Sequence, residues 1–219
     1  MSPSEENTLS EQLGQLGIAA RTEQLRACLA LLDHLEHWSG AFNLTAIHDR
    51  REALEKHIVD SLTVLPWLDG VQSLLDAGSG AGFPALPIAI FRPGLRILSV
   101  DASQRKVYFQ KEMRRTLGLI HVEPIAVRLE DLNIRHPELL PVDAVVARAL
   151  GSTAMVAGAT ARLLRMGGRL LIMKSAQDND TPPQAANGAL ALDTIAHISL
   201  PFSHIERRIA IYKNVKGNA

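Results

Sequence analysis

The chain is poor in several features that would name a function quickly. It has one cysteine in 219 residues, which excludes an internal disulfide and predicts a reducing, cytoplasmic setting. It has no net charge, with 23 basic against 23 acidic residues. No global field therefore announces a nucleic acid or a membrane, and any polyanion must meet a local patch. No apolar run approaches the ~18 residues that span a bilayer. The opening MSPSEENTLSEQ lacks the basic and apolar regions of a signal peptide, so none is expected. Aromatics are scarce, at two tryptophans, two tyrosines and five phenylalanines, and no metal site is expected. What is present is 47% hydrophobic content, enough to bury a sizeable core in one structural unit.

The most informative stretch is LLDAGSGAGFP, Leu74 to Pro84. An apolar run reaches Asp76, glycines follow at 78, 80 and 82, and a helix-compatible segment begins at Phe83-Pro84. Such a strand, loop and helix start uses glycine where the backbone takes positive φ or lies against a ligand. The spacing is G-x-G-x-G, not the G-x-G-x-x-G of dinucleotide sites, and no G-K-[ST] follows to make a P-loop. With phosphate cradles set aside, the remaining common use of this loop is to hold S-adenosylmethionine.

Along the chain, Thr8 to Leu16 predicts a short helix. A stronger one starts at Thr22 and ends at the Ser39-Gly40 link, with Leu25, Cys28, Leu29, Leu32, Leu35 and Trp38 on one face. Cys28 lies in that stripe and is read as core. Asp49-x-x-Glu52 caps a third helix running to Leu65, on which His57 and Asp60 form a local pair one turn apart. Residues 1–70 are thus a helical extension with little chemistry of its own, packed on a core of residues 71–219.

From Val71 apolar runs alternate with helical segments, the pattern of a parallel sheet with crossover helices. Strands are expected at 71–76, 95–100, 122–127 (an edge strand, given Pro124), 142–147 and 169–175, the last entered through Gly167-Gly168. Residues 176–188 read as an exposed loop, and two further strands, 191–200 and 208–215, close the chain. The fold class is α/β, a mixed, mostly parallel sheet of seven strands.

In such a sheet the ligand sits beyond the carboxyl ends of the strands. Gly78 to Phe83, Asp101, Arg128 to Asp131, Arg148 and Lys174 stand there as a crescent of loops. Asp101 is placed to accept from ribose hydroxyls. Arg148, ending the run VDAVVA, needs a partner, with Asp143, Glu130 or a ligand carboxylate as candidates.

The chain resembles the RsmG (glucose-inhibited division protein B) family in several separate stretches: WSGAFNLTAI, EKHIVDSL, LLDAGSGAGFPALPIAI, SVDASQRKVYF, VDAVVARAL and ERRIAIYKN. The resemblance implies a Rossmann-like class I methyltransferase that moves a methyl group from S-adenosylmethionine to N7 of a guanosine in small-subunit (16S) ribosomal RNA. It implies that Gly78 and Phe83 contact the cofactor, that Leu129 and Glu130 flank its adenine, and that Arg148 belongs to the same site. Gly80, Gly82 and Asp101 follow from the general fold. Ala85 departs from the glycine common in the family.

The chemistry accords with that target. Guanine N7 carries a free lone pair, so methylation there requires no general base. A-R-A-L stands where an amine methyltransferase would carry N/D-P-P-Y, and Cys28 is misplaced for attack on a pyrimidine. Catalysis by proximity and alignment remains. Lys106, Lys174, Arg207 and Lys213 are the carried-over RNA contacts, and Arg114, Arg115, Arg207, Arg208 and Lys213 are expected to make one basic face. A monomer acting on RNA within a ribosomal particle is expected. The alternatives are a small-molecule or protein methyltransferase, or a non-catalytic ribosome-assembly factor.

Overall fold

The apolar runs of the second half become strands because both of their faces are covered. A computed structural model describes residues 3–178, 180–182 and 184–216. Its strands are β1 Ser73–Ala77, β2 Arg96–Asp101, β3 Val122–Ala126, β4 Val142–Arg148, β5 Leu164–Ser175, β6 Gln184–Ala185, β7 Leu190–Ser199 and β8 Glu206–Asn214. Among the described residues they form one sheet in the order β3-β2-β1-β4-β5-β8-β7-β6. The first five are parallel, and β8, β7 and β6 are antiparallel additions. Strand order reverses between β1 and β4, which is where an open sheet of this kind receives its ligand.

Side chains alternate faithfully. Leu74, Ile97, Val146 and Leu171 face a core shared with the helices α1 Pro3–Gln15, α2 Thr22–Phe42, α5 Ala85–Phe91 and α6 Gln104–Thr116. Leu75, Leu98, Val145 and Leu170 face a second core with the helix Thr153–Thr160. Leu29, Leu31, Leu32 and Leu35 of α2 are 0–2% exposed, and burying each such side chain is worth about 1.5–3 kcal/mol. Pro124 sits in β3 at the sheet edge, where no neighbour asks for its missing N–H.

Four local expectations change. The helix of α2 continues past Ser39 to Phe42, because Asn43 takes the left-handed conformation that ends it. The third helix is divided into α3 Arg50–Ala53, a π-helical segment Leu54–Val59 and α4 Asp60–Leu62, although Asp49 does cap it by accepting from the Glu52 amide. β5 begins at Leu164 and carries Gly167-Gly168 within it, next to an irregularity in its pairing with β4. The stretch read as loop after Ser175 contains β6, which makes the eighth strand.

Candidate functional site

The glycine loop is held by its neighbours rather than by its own bonds alone. Gly80 N donates to Asp101 Oδ2 at 2.9 Å, and Ser103 N donates to Asp101 Oδ1 at 2.8 Å. The carboxylate that ends β2 therefore ties the loop to the start of α6. Gln110, fully buried on α6, donates from Nε2 to Ser79 Oγ at 2.9 Å and to the Gly80 carbonyl at 2.6 Å. Gly78 has φ +71°, and a Cβ there would lie 2.3 Å from Leu150 Cδ1. Gly82 has φ +92°, and a Cβ would lie 2.6 Å from Leu86 Cδ1. Both positions require glycine for their conformation, and at Gly82 a Cβ would also lie 2.7 Å from Leu86 Cγ.

Under the loop, Asp76 is completely buried and its Oδ2 accepts from Ala85 N at 2.9 Å. Burial pushes its carboxyl up to about 7, against the Ala85 amide and Arg148, which favour the ionised form.

A slot of about 200 Å³ opens beside the loop, lined among others by Gly78, Asp101, Val127, Leu129, Glu130 and Met155. Its chemistry fits the adenosine end of S-adenosylmethionine. Each Asp101 oxygen spends one lone pair on a backbone amide and keeps one for a ribose hydroxyl, while the walls offer apolar surface to a purine.

A larger cavity of about 410 Å³ lies on the other side of β4. Four cations, Lys56, Arg148, Lys174 and Arg207, line it against two carboxylates, Asp60 and Asp178. Asp60 is buried and divides its oxygens between two arginines, Oδ2 to Arg148 Nη1 at 3.4 Å and Oδ1 to Arg207 Nε at 3.3 Å. Arg148 also donates to the Lys56 carbonyl at 2.7 Å. Lys174 meets Asp178 at 2.8 Å and Asp180 at 3.4 Å.

His57 completes the wall. Its Nε2 lies 2.9 Å from Thr45 Oγ1, and its ring stacks on Phe83 with centroids 4.7 Å apart. Burial, then Arg148 and Lys56, hold its pKa down to about 4, so the imidazole is neutral near pH 7. Leu150 and Val156 line both the slot and the cavity, so Leu150, packed on Gly78, stands at the partition between them.

The sequence-derived crescent is thus assembled, but in two compartments. Gly78, Asp101, Leu129 and Glu130 line the slot, with Gly80 and Gly82 in the loop behind it. Arg148 lines the cavity instead, and its partner is Asp60 rather than Asp143 or Glu130. Asp143 is engaged by Arg165 and by the Gln72 and Ser73 amides. Phe83 is buried and reaches the cavity wall through His57. Lys174 and Arg207 line the cavity. Lys106 lies on α6, away from both spaces.

Lys213 pairs in register with Arg169, at the opposite end of β8 from Arg207 and roughly 20 Å away at strand rise. The single basic face is not formed. Arg114 and Arg115 close the far end of α6, while Arg208 turns to the other face of β8 from Arg207, towards the Asp178 carbonyl.

Sequence reasoning missed the part played by the helical extension. On sequence alone the segment holding Lys56, His57 and Asp60 has little chemistry, whereas the structure ties the Lys56 carbonyl and Asp60 to Arg148 and Asp60 to Arg207, and sets His57 against Thr45 and Phe83. The His57–Asp60 pair does not form, because each has a tertiary partner. The available signal was three polar residues within one turn of an otherwise apolar helix.

Comparison with known proteins gives one family. Residues 24–211 match the family described as rRNA small subunit methyltransferase G. A protein of that name from Syntrophotalea carbinolica is 38% identical over 97% of this chain and 99% of its own length. Its counterpart from an Anaeromyxobacter species is 39% identical over the same shares. Among solved structures, Burkholderia thailandensis 1,6-didemethyltoxoflavin-N1-methyltransferase, with bound 1,6-didemethyltoxoflavin and S-adenosylhomocysteine, superposes with TM-score 0.53 over 91% of this chain and 92% of that one, at 15% identity. The last likeness is one of fold.

Proposed function

The chain belongs to the rRNA small subunit methyltransferase G family, and from that premise we propose that it methylates N7 of a guanosine in small-subunit ribosomal RNA, with S-adenosylmethionine as donor. When bound, the cofactor supplies an electrophilic methyl group on a sulfonium. Asp101 would hold the ribose hydroxyls, Leu129 and Glu130 would flank the adenine, and Gly78 leaves room for close approach. Arg148, Lys174, Arg207 and Lys56 would hold phosphate and the target base in the larger cavity.

The observation that carries the reading is the content of that cavity. It is rich in cations and offers no strong general base: His57 is held to a pKa of about 4, and Asp60 and Asp178 are committed to cations. An acceptor such as guanine N7 attacks without losing a proton, so positioning suffices, and alignment alone is worth up to about 7–11 kcal/mol. The same reading has the protein act as a cytoplasmic monomer on RNA in a ribosomal particle, with residues 1–70 an extension that furnishes one wall of the cavity. Among the described residues no helix is long and apolar enough to cross a membrane.

Incubating the protein with methyl-labelled cofactor and small ribosomal subunits from cells lacking the enzyme tests the proposal. Label recovered as 7-methylguanosine is expected. Label in protein, in a small molecule or at another atom of the RNA would reject it.

A further inference from the structure

The charge balance of the whole chain hides a strong local excess. α6, of sequence QRKVYFQKEMRRT, carries Arg105, Lys106, Lys111, Arg114 and Arg115 against the single acid Glu112, so the rest of this neutral chain holds 18 basic against 22 acidic residues. Glu112 is taken by Arg115 at 2.9 Å. Among the described residues, Arg105, Lys106 and Lys111 meet no carboxylate within ion-pair distance.

Arg105 and Lys111 stand three residues before and after Tyr108, so they flank it on the helix surface. Tyr108 is 55% exposed, and its ring lies 5.7 Å from Trp38, which in turn lies 5.5 Å from Phe42, itself 39% exposed. Three aromatic rings of a chain short of them therefore cluster at the surface between α2 and α6. Phe109, fully buried, lies beneath them with its ring 5.8 Å from that of Trp38.

From Phe42 the chain reaches Ile47, on the wall of the large cavity, in five residues, at most about 18 Å. The segment between lines an intermediate cavity of about 340 Å³ with Ser39, Asn43 and Thr45. Ile47 is common to both cavities.

Resting on the function proposed above, we infer that the Trp38–Phe42–Tyr108 cluster is a second RNA contact, which stacks unpaired nucleotides of the substrate strand beside the target while Arg105 and Lys111 hold their phosphates. Exposed rings give every base a π-face to rest on, and lysine and arginine beside them follow the backbone, the combination used for single-stranded nucleic acid. An apolar protein patch would use the rings alone, whereas unpaired nucleotides use both the rings, through their bases, and the cations beside them, through their phosphates. The charge therefore selects RNA.

The test uses the full chain with Trp67→Phe, so that Trp38 is the sole tryptophan reporter. A short single-stranded oligoribonucleotide should quench its emission. Tyr108→Leu should raise the KM for small subunits about tenfold with cofactor affinity unchanged by calorimetry, and Tyr108→Phe should restore it. Replacing Arg105 and Lys111 together by glutamine should reduce the slope of log Kd for the oligoribonucleotide against log salt by about 1.4.

If Tyr108→Leu matches the parent, as a merely apolar docking patch for a protein would allow, or if no quenching occurs, the inference is overturned. The two readings fail separately. Absence of RNA methylation by the parent protein rejects the proposed function, whereas quenching is measured without any methyl transfer.

Discussion

Asp76 and His57, both buried near the glycine loop, respond to pH with opposite signs. Asp76 is raised by burial from 3.8 to about 7. Between those values the folded chain keeps a proton that the unfolded chain has released, so this group lowers stability as pH rises. His57 is lowered by burial and by Arg148 and Lys56 from 6.5 to about 4. There the unfolded chain holds the extra proton, so its contribution grows from pH 4 to 6.5 and is lost as pH falls again. Over that shared window the two largely offset. Asp76→Asn should therefore give an unfolding midpoint that climbs with pH between about 4 and 6.5, and His57→Gln one that declines up to about 7. Profiles parallel to the parent in thermal scans would contradict both assignments. Asp101 calls for a different measurement. Asp101→Ala removes the acceptor of the Gly80 and Ser103 amides as well as the expected ribose partner. Calorimetry should show S-adenosylmethionine affinity lower by a factor of ten or more, since a hydrogen bond to a charged group contributes about 1.5–3 kcal/mol.

The turn from β1 into α5 depends on backbone angles that side chains resist. Gly78→Ala places a Cβ at φ +71°, against Leu150. The contact falls on the flexible end of a leucine and is relieved cheaply, whereas the left-handed backbone still costs about 1–2 kcal/mol. A fall in Tm of roughly 2–8 °C is expected, and the double variant with Leu150→Ala should recover only the smaller, steric part. Complete recovery would mean that the conformation was not limiting. The π-helical segment is the element least visible beforehand. Apolar periodicity reports which side is buried but not where one additional residue is accommodated, and that residue is what aims Lys56, His57 and Asp60 at the cavity. Glu55 shows the same effect. It is 1% exposed, and its Oε1 accepts from the Phe202 and Ser203 amides of the β7–β8 loop at 2.7 and 3.0 Å.

At the scale of the molecule, the sheet, its edge strand and the slot were legible because they are written locally: apolar runs, a proline in β3, glycines at fixed spacing, an acid at the end of β2. The cavity was not, because its walls come from Ile47, from residues 56–60, 147–151, 156 and 172–178, and from Arg207, and no local pattern says that these meet. Arg207 illustrates the difference. The sequence marked it as an RNA contact, but only the structure joins it to Asp60 and Arg148. Arg207→Glu would set a second carboxylate beside Asp60, and RNA methylation should fall at least tenfold while cofactor affinity changes little, as like charges at close range cost several kcal/mol. Equal losses in both assays would remove Arg207 from the substrate side. The Asp60 trio also acts on assembly. Its arginines arrive on strands of opposite direction, Arg148 on β4 and Arg207 on β8, and successive side chains on a strand point to opposite faces. A one-residue slip of β8 in one direction would bring Glu206 to the place of Arg207 and set a second carboxylate beside the buried Asp60. The ion trio that lines the cavity thus also works against that misaligned pairing of the added strands.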